Sequence, residues 1–384
     1  MNRRRFIAAG ATLFAFPAIA GTRPPTSIRD AYTLWYNRPS AIVLPSGLGF
    51  GFITSEGNVE VAQLDQHLQL RGRHRLYSFN HASDHGSPAL LRIPAGAYQG
   101  HTLACFSNHA SELFITRTER AEDVAVWGPV KSLDEGRCTY VSLGATPDGV
   151  LILMYTLQRS CGGYERGQWR ETLFTTSIDG GDTWDSPKSL IAFGPGTFPY
   201  STPFSLSKSG LLATSYALFS YDQQRHMGLA VAIANIDTGR VETTTVISTG
   251  DANEIIPYET RWDGDDIYLS YSRVSGIGAT AFTARVDRET DYVKSTRIGA
   301  IATHGYASGA ALSPDCKSVF YAPPSGGLKH KSLINGHSKH IFHSGHYSMP
   351  FTMSSQGKDV LGVSKDQVVR SSRSFEADLT ILYV

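Results

Sequence analysis

The chain has 384 residues, 41% of them hydrophobic and 18% charged, the composition of an ordinary globular protein. Its 35 basic side chains nearly balance 34 acidic ones, net +1, so no basic field points to a nucleic-acid partner. Thirty-seven glycines with 18 Phe and 18 Tyr favour many short strands joined by tight turns.

The first twenty residues stand apart. MNRRRFIAAGATLFAFPAIA carries Arg3, Arg4 and Arg5, an apolar run from Phe6 to Ile19, and small residues Ala18 and Ala20. The pattern predicts an export signal over 1–20 with an Ala-x-Ala site, of twin-arginine type because consecutive arginines precede Phe6. The apolar run is short for a membrane span. Cleavage after Ala20 removes three arginines and no acid, leaving 32 basic against 34 acidic side chains, net −2. A periplasmic or secreted protein without membrane contact is expected, with residues 21–384 as one domain. Cys105, Cys138, Cys161 and Cys316 are even in number but match no disulfide framework, so buried thiols and bridges both stay open.

From Thr33 onward one theme repeats: an apolar or alternating run, a Gly/Asp/Asn turn, another run. SAIVLPSGLGFGFITSEGNVEVAQLD, GVLILMYTLQRS, GLLATSYALFSYD, MGLAVAIANIDTGRVETTTVIS and DDIYLSYSRVS show it in chain order. Flanks are β-branched or aromatic, and turns carry residues that tolerate φ > 0. No sustained i, i+3, i+4, i+7 pattern follows the signal, so helix content should be very low. At roughly 40–50 residues per four-stranded blade, the length predicts an all-β single propeller of seven blades, with six as the alternative count.

Ser177-Ile178-Asp179-Gly180-Gly181-Asp182-Thr183-Trp184 fits Ser-x-Asp-x-Gly-x-Thr-Trp, and resembles the Asp-box of sialidase-like propellers. Its Ser and Asp can bond backbone N–H groups of a hairpin turn while Trp184 tucks between sheets, so the motif reports architecture. Ser313 to Phe320 is a degenerate second copy, and TPDGVLIL, SKSGLLAT and SSQGKDVLG mark further hairpins. A sialidase also needs an arginine triad. Leu91-Arg92-Ile93-Pro94 resembles its first arginine motif, but Pro88-Ala89-Leu90 precedes Arg92 where it should follow.

A different likeness starts at Asp84-His85, continues through Pro88-Ala89-Leu90, and closes on Ser107-Asn108-His109. Trp127-Gly128-Pro129, Cys138-Thr139-Tyr140, Met154 to Arg159, the SIDGGDTW stretch and Pro199-Tyr200 follow in order, after an opening Trp35-Tyr36-Asn37-Arg38-Pro39. This series, from about residue 35 to 230, resembles the propeller polysaccharide lyases that include the ulvan lyases. The resemblance implies a uronate-cleaving site in which His85 and His109 are the catalytic histidines. It also implies Tyr140 and Tyr200 as active-site tyrosines, with Arg159 neutralising the uronate carboxylate. Those residue types suit β-elimination at C4 of a uronic acid. Arg supplies a planar charged fork, and His or Tyr exchanges the proton at C5 and the leaving oxygen.

The resemblance requires no cofactor for the chemistry, although such relatives can carry a structural ion, Zn or Ca, for which Cys316 with a nearby His is a candidate. The histidines 304, 330, 337, 340, 343 and 346 fit no compact zinc motif and read as a solvated or sugar-facing surface. An acidic polysaccharide or oligosaccharide is the expected partner, with no nucleic acid, and the protein is expected to be a monomer. A sialidase-type hydrolase drawing on Arg92, Arg159, Arg261 or Arg273, and a non-catalytic glycan-binding propeller, are the alternatives.

Overall fold

The computed structural model describes residues 24–384 except 34–35, 39, 82, 84, 134–135, 161–166, 249–253, 276–277, 303–308 and 372–373. The export signal, Trp35, Pro39, Asp84, Cys161 and His304 lie outside the described residues. What is described is all strand and turn, arranged as seven sheets of antiparallel strands, a seven-bladed propeller. Blades 1 to 6 occupy residues 41–78, 89–132, 138–191, 197–247, 254–301 and 310–342 in sequence order. Blade 7 takes three strands from 347–383 and its outermost strand, Thr26–Ile28, from the other end of the chain. Thr26 pairs with Ile381 and Ile28 with Leu379, so the two ends of the chain lock the ring together.

The first strand of each blade is the innermost. These strands touch their successors around the axis: Ala41–Leu44, Ala89–Arg92, Cys138–Ala145, Thr197–Ser201 with Ser205–Leu206, Glu254–Asp263, Ala310–Leu312 and Tyr347–Ser355. Apolar residues recur on the flanks of each sheet because both faces are covered by neighbouring blades. Phe50, Phe52, Leu64, Leu379 and Ile381 pack between blades 7 and 1, and Leu103, Leu153 and Leu173 between blades 2 and 3. Truncating one such fully buried Phe to Ala would cost about 3–5 kcal/mol. Within blade 7 a glycine is required opposite an aromatic ring: Gly362 pairs with Phe351 on the adjacent strand, and a Cβ there would stand 2.2 Å from the Phe351 ring.

The hairpins separate two turn types that look alike in sequence. Thr146–Gly149, Ser207–Gly210, Ser313–Cys316 and Ser354–Gly357 each join the first and second strands of a blade. In three of them the opening hydroxyl accepts a later backbone N–H, from Val150, Leu211 or Ser318. SIDGGDTW instead joins the third and fourth strands of blade 3, so the Ser313 stretch is not its positional equivalent. Within SIDGGDTW, Asp179 accepts from the Thr183 N–H at 2.9 Å and from the Thr183 hydroxyl at 2.6 Å, and Ser177 Oγ accepts the Gly181 N–H at 3.0 Å. Burial would raise the Asp179 pKa, but the hydrogen bonds from Thr183, Ser177 and Asp182 win and hold it at about 2. Arg117 of blade 2 donates to Gly180 O and Asp182 while stacking on Tyr98, which ties this turn to the neighbouring blade.

Cys105, Cys138 and Cys316 are buried thiols. His330 and His340 sit on the third and fourth strands of blade 6, where the rings of His340 and His343 stack 4.8 Å apart. Among the described residues no group of three or more His, Cys, Asp or Glu is placed to hold a metal, so the Cys316–histidine candidate finds no ligand set there.

Candidate functional site

Four of the five residues singled out from the sequence converge at one end of the axis, near the starts of the innermost strands. His85 precedes the inner strand of blade 2 and is only 4% exposed. Its Nε2 lies 3.3 Å from the Tyr140 hydroxyl, and its ring stands edge-on to that of His109 with centroids 4.5 Å apart. Tyr140 and Tyr200, on the inner strands of blades 3 and 4, have ring centroids 6.3 Å apart. Tyr36 packs beneath both, 4.3 Å from Tyr140 and 6.5 Å from Tyr200.

Local sequence explains how each is aimed. Tyr140 adopts φ 54° at a bulge where the pairing of blade 3 shifts between Thr139 and Ser142. A left-handed tyrosine costs about 1–3 kcal/mol, and that strain re-aims the ring toward His85. Asn37 holds the two together. Its side-chain amide donates to the carbonyls of His85 at 2.9 Å and Ser87 at 2.7 Å, and its Oδ1 accepts the Val141 N–H at 2.9 Å. One buried side chain therefore clamps the His85 loop against the Tyr140 bulge. Nearby, Asn108 is within 2.7 Å of His81 Nε2 and accepts the His109 N–H, which orders the outer histidine.

Arg159 is the exception. In the second hairpin of blade 3, Arg159 pairs with Trp169 and Gln158 with Arg170. Side chains alternate faces along a strand, so Arg159 and Arg170 project to opposite sides of the sheet. Arg159 shares its face with Trp169 and Glu171; its Nε donates to Glu171 at 3.2 Å, and its side chain is 46% exposed. Arg170, only 9% exposed, faces the tyrosines instead. Its guanidinium carbon stands 5.7 Å from the ring centre of Tyr140 and 5.4 Å from those of Tyr200 and Phe198. The cation at the cluster is Arg170, and the sequence reading passed it over.

His226 was also missed. It lies on the third strand of blade 4 with its ring 6.1 Å from Tyr200, and Nδ1 accepts the Ile255 N–H over a long 3.4 Å. Burial pushes its pKa down to about 4, so the ring is neutral at pH 7. It lines a cavity of about 110 Å³ with Tyr36, Tyr200, Phe219 and Glu254. Partial desolvation raises the Glu254 carboxyl, although the residue keeps much of its surface. Larger cavities lie elsewhere, one of about 380 Å³ deeper along the axis. The small cavity opens beside Tyr36 and Tyr200 at the mouth of the axis, while His85 and Tyr140 are themselves buried.

The arginines proposed for a sialidase triad are dispersed. Arg92 pairs with Glu122, Arg159 with Glu171 and Arg261 with Glu259, each engaged by its own carboxylate, and Arg273 lies over Phe282 on blade 5.

A scan of the sequence against protein families and characterised proteins finds no match. Solved structures resemble the chain in fold. A polysaccharide lyase of family PL25, an ulvan lyase bound to -[GlcA(1-4)Rha3S]-, superposes with TM-score 0.66 at 11% identity, covering 93% of this chain and 94% of the lyase. The polysaccharide lyase Uly1 gives TM-score 0.59 at 9% identity over 94% and 99% of the two chains. The family GH93 α-L-arabinofuranosidase of Fusarium graminearum, in complex with arabinobiose, gives 0.52 at 12% identity over 94% and 98%. The seven-bladed propeller of this chain is therefore a fold shared by polysaccharide lyases and by a glycoside hydrolase.

Proposed function

We propose that this protein is an exported polysaccharide lyase that cleaves a uronate-containing acidic glycan by β-elimination. The observation that carries the reading is the contact series His109–His85–Tyr140–Tyr200, with the buried guanidinium of Arg170 set against the two tyrosines. In elimination, a base takes the proton from C5, the electron pair forms the C4–C5 double bond, the C4–O bond breaks, and an acid protonates the departing oxygen. The step is slow unless the C5 proton is acidified by neutralising the carboxylate. Arg170 holds a fixed positive charge between two phenols, where a uronate carboxylate would meet it with little reorganisation. We assign that role to Arg170 in place of Arg159, whose guanidinium is occupied by Glu171 on the opposite face. The imidazoles and phenols then carry the proton traffic, with the His85–Tyr140 contact as a ready exchange path.

A glycosidase in its usual form needs two carboxylates flanking the bond. Among the described residues lining the mouth cavity, Glu254 is a carboxylate. The test is incubation of the mature protein with ulvan and other glucuronate-bearing polymers, following absorbance in the unsaturated-uronate band. The signal should appear with the wild type and collapse in Arg170→Ala and His85→Ala. Binding without any product across that panel would favour a glycan-binding propeller instead.

A further inference from the structure

The cavity of about 380 Å³ along the propeller axis plays no part in the chemistry above. Tyr36, Tyr200 and Ile256 line the mouth, whereas Arg38, Ser205, Glu259 and Arg261, further along the same inner segments, line the cavity. At about 3.3 Å per residue, the two sites are separated by roughly 7–16 Å along the axis.

The walls carry two guanidiniums and one carboxylate, so the cavity is left with a net positive charge. Glu259 is fully used: one oxygen accepts from Arg261 Nε at 2.6 Å and the other from the Leu312 N–H at 2.8 Å. Arg261 is bolted to blade 7, with Nη2 donating to Thr352 O at 3.0 Å and Oγ1 at 2.9 Å. Arg38 has no such carboxylate within ion-pair distance among the described residues. Its Nη1 donates to Ser40 Oγ at 2.7 Å, and its guanidinium lies over the Phe351 ring at 4.4 Å. A guanidinium offers five N–H donors, so most of the Arg38 fork faces the cavity unused. Its main chain is anchored to blade 3, the N–H donating to Val141 O at 3.2 Å and the carbonyl accepting the Leu143 N–H at 2.9 Å.

Desolvation lowers the Arg38 pKa to about 9, the attraction of Glu259 offsetting it only in part and Arg261 opposing. The group therefore stays charged at neutral pH. The surface it keeps is open to the cavity, and a buried cation with spare donors is stabilised best by an anion that accepts several of them at once.

We propose that the axial cavity is a binding site for a small oxyanion, gripped by the Arg38 guanidinium with Arg261 supplying a second positive charge on the wall. A carboxylate or a tetrahedral phosphate or sulfate group presents the matching edge of two oxygens. The proposal is independent of the lyase reading, and its failure would leave that reading untouched.

Thermal unfolding of the mature protein tests it, with sodium sulfate, phosphate, acetate or glucuronate added at constant ionic strength against chloride. The midpoint should rise saturably, by roughly 3 °C or more once the anion is far above half-saturation, and the strongest arm identifies the oxyanion class. Arg38→Gln should abolish the saturable rise. A non-saturating rise common to all salts, or an equal saturable rise in Arg38→Gln, would overturn the site. If that variant does not fold, wild-type crystals grown with selenate decide the matter: an anomalous peak beside Arg38 supports the proposal and its absence overturns it.

Discussion

The two ends of the axial path are built from different chemistry. The mouth gathers groups that exchange protons, two imidazoles and two phenols, on strand starts where a bulge and a left-handed tyrosine leave room to re-aim side chains. The deeper cavity gathers two guanidiniums and a carboxylate: Glu259 and Arg261 on the inner strand of blade 5, held by the Leu312 N–H and by Thr352, and Arg38 just ahead of the inner strand of blade 1, bonded to Ser40. Arg170 places a guanidinium against the two tyrosines of the mouth. In the proposed reading, the propeller keeps its proton-exchanging side chains at the rim and a pair of guanidiniums with a carboxylate in its interior.

The largest effect should come from removing the fixed charge at the mouth. Arg170→Ala is expected to lower kcat by about 10²–10³-fold, whereas Arg159→Ala stays within about 3-fold, both measured as formation of unsaturated uronate. Equal losses would dissolve the distinction between the two faces of blade 3. Asn37→Ala strikes the clamp instead of the chemistry. Losing three buried hydrogen bonds should cost about 2–4 kcal/mol in urea unfolding, and kcat should fall more than KM changes as His85 and Tyr140 drift apart.

Acid should distinguish the regions as well. His226 has its pKa lowered from 6.5 to about 4 by burial. Between those values the unfolded chain binds a proton that the folded chain refuses, so stability falls as pH drops through 6.5 and levels off below 4. A wild type losing up to about 3 kcal/mol more than His226→Phe across that window, by denaturant titration at several pH values, would bear this out. Arg38, lowered to about 9, titrates above this window and should add no slope there. The smallest effect belongs to the turn in blade 3: Asp179→Ala should cost about 1 kcal/mol of stability and leave kcat unchanged.

The strands were legible because β-branched and aromatic runs alternate with turn residues, and among the described residues 29 strands form the seven sheets that the spacing predicts. His85, His109, Tyr140 and Tyr200 were legible as an ordered series of short motifs, and the structure brings all four together. Arg170 was not, because choosing between it and Arg159 depends on the hairpin register, which decides the face each arginine takes and which composition does not reveal. Asn37 was quoted within a motif, yet its work is done on the backbones of residues some 50 and 100 positions away. His226 carries no local signal, since Arg225 to Asn235 reads simply as a strand. The likeness between the Ser177 and Ser313 stretches misled for a related reason: similar hydroxyl-and-carboxylate caps serve different hairpins of a blade.

The central claim is that the mouth breaks a uronate linkage by elimination. Mass analysis of the products from a glucuronate-bearing polymer tests it most directly. Elimination predicts fragments one water lighter than hydrolysis would give, carrying the unsaturated-uronate absorbance and disappearing in Arg170→Ala. Fragments with the full mass of added water and no such absorbance would contradict the account.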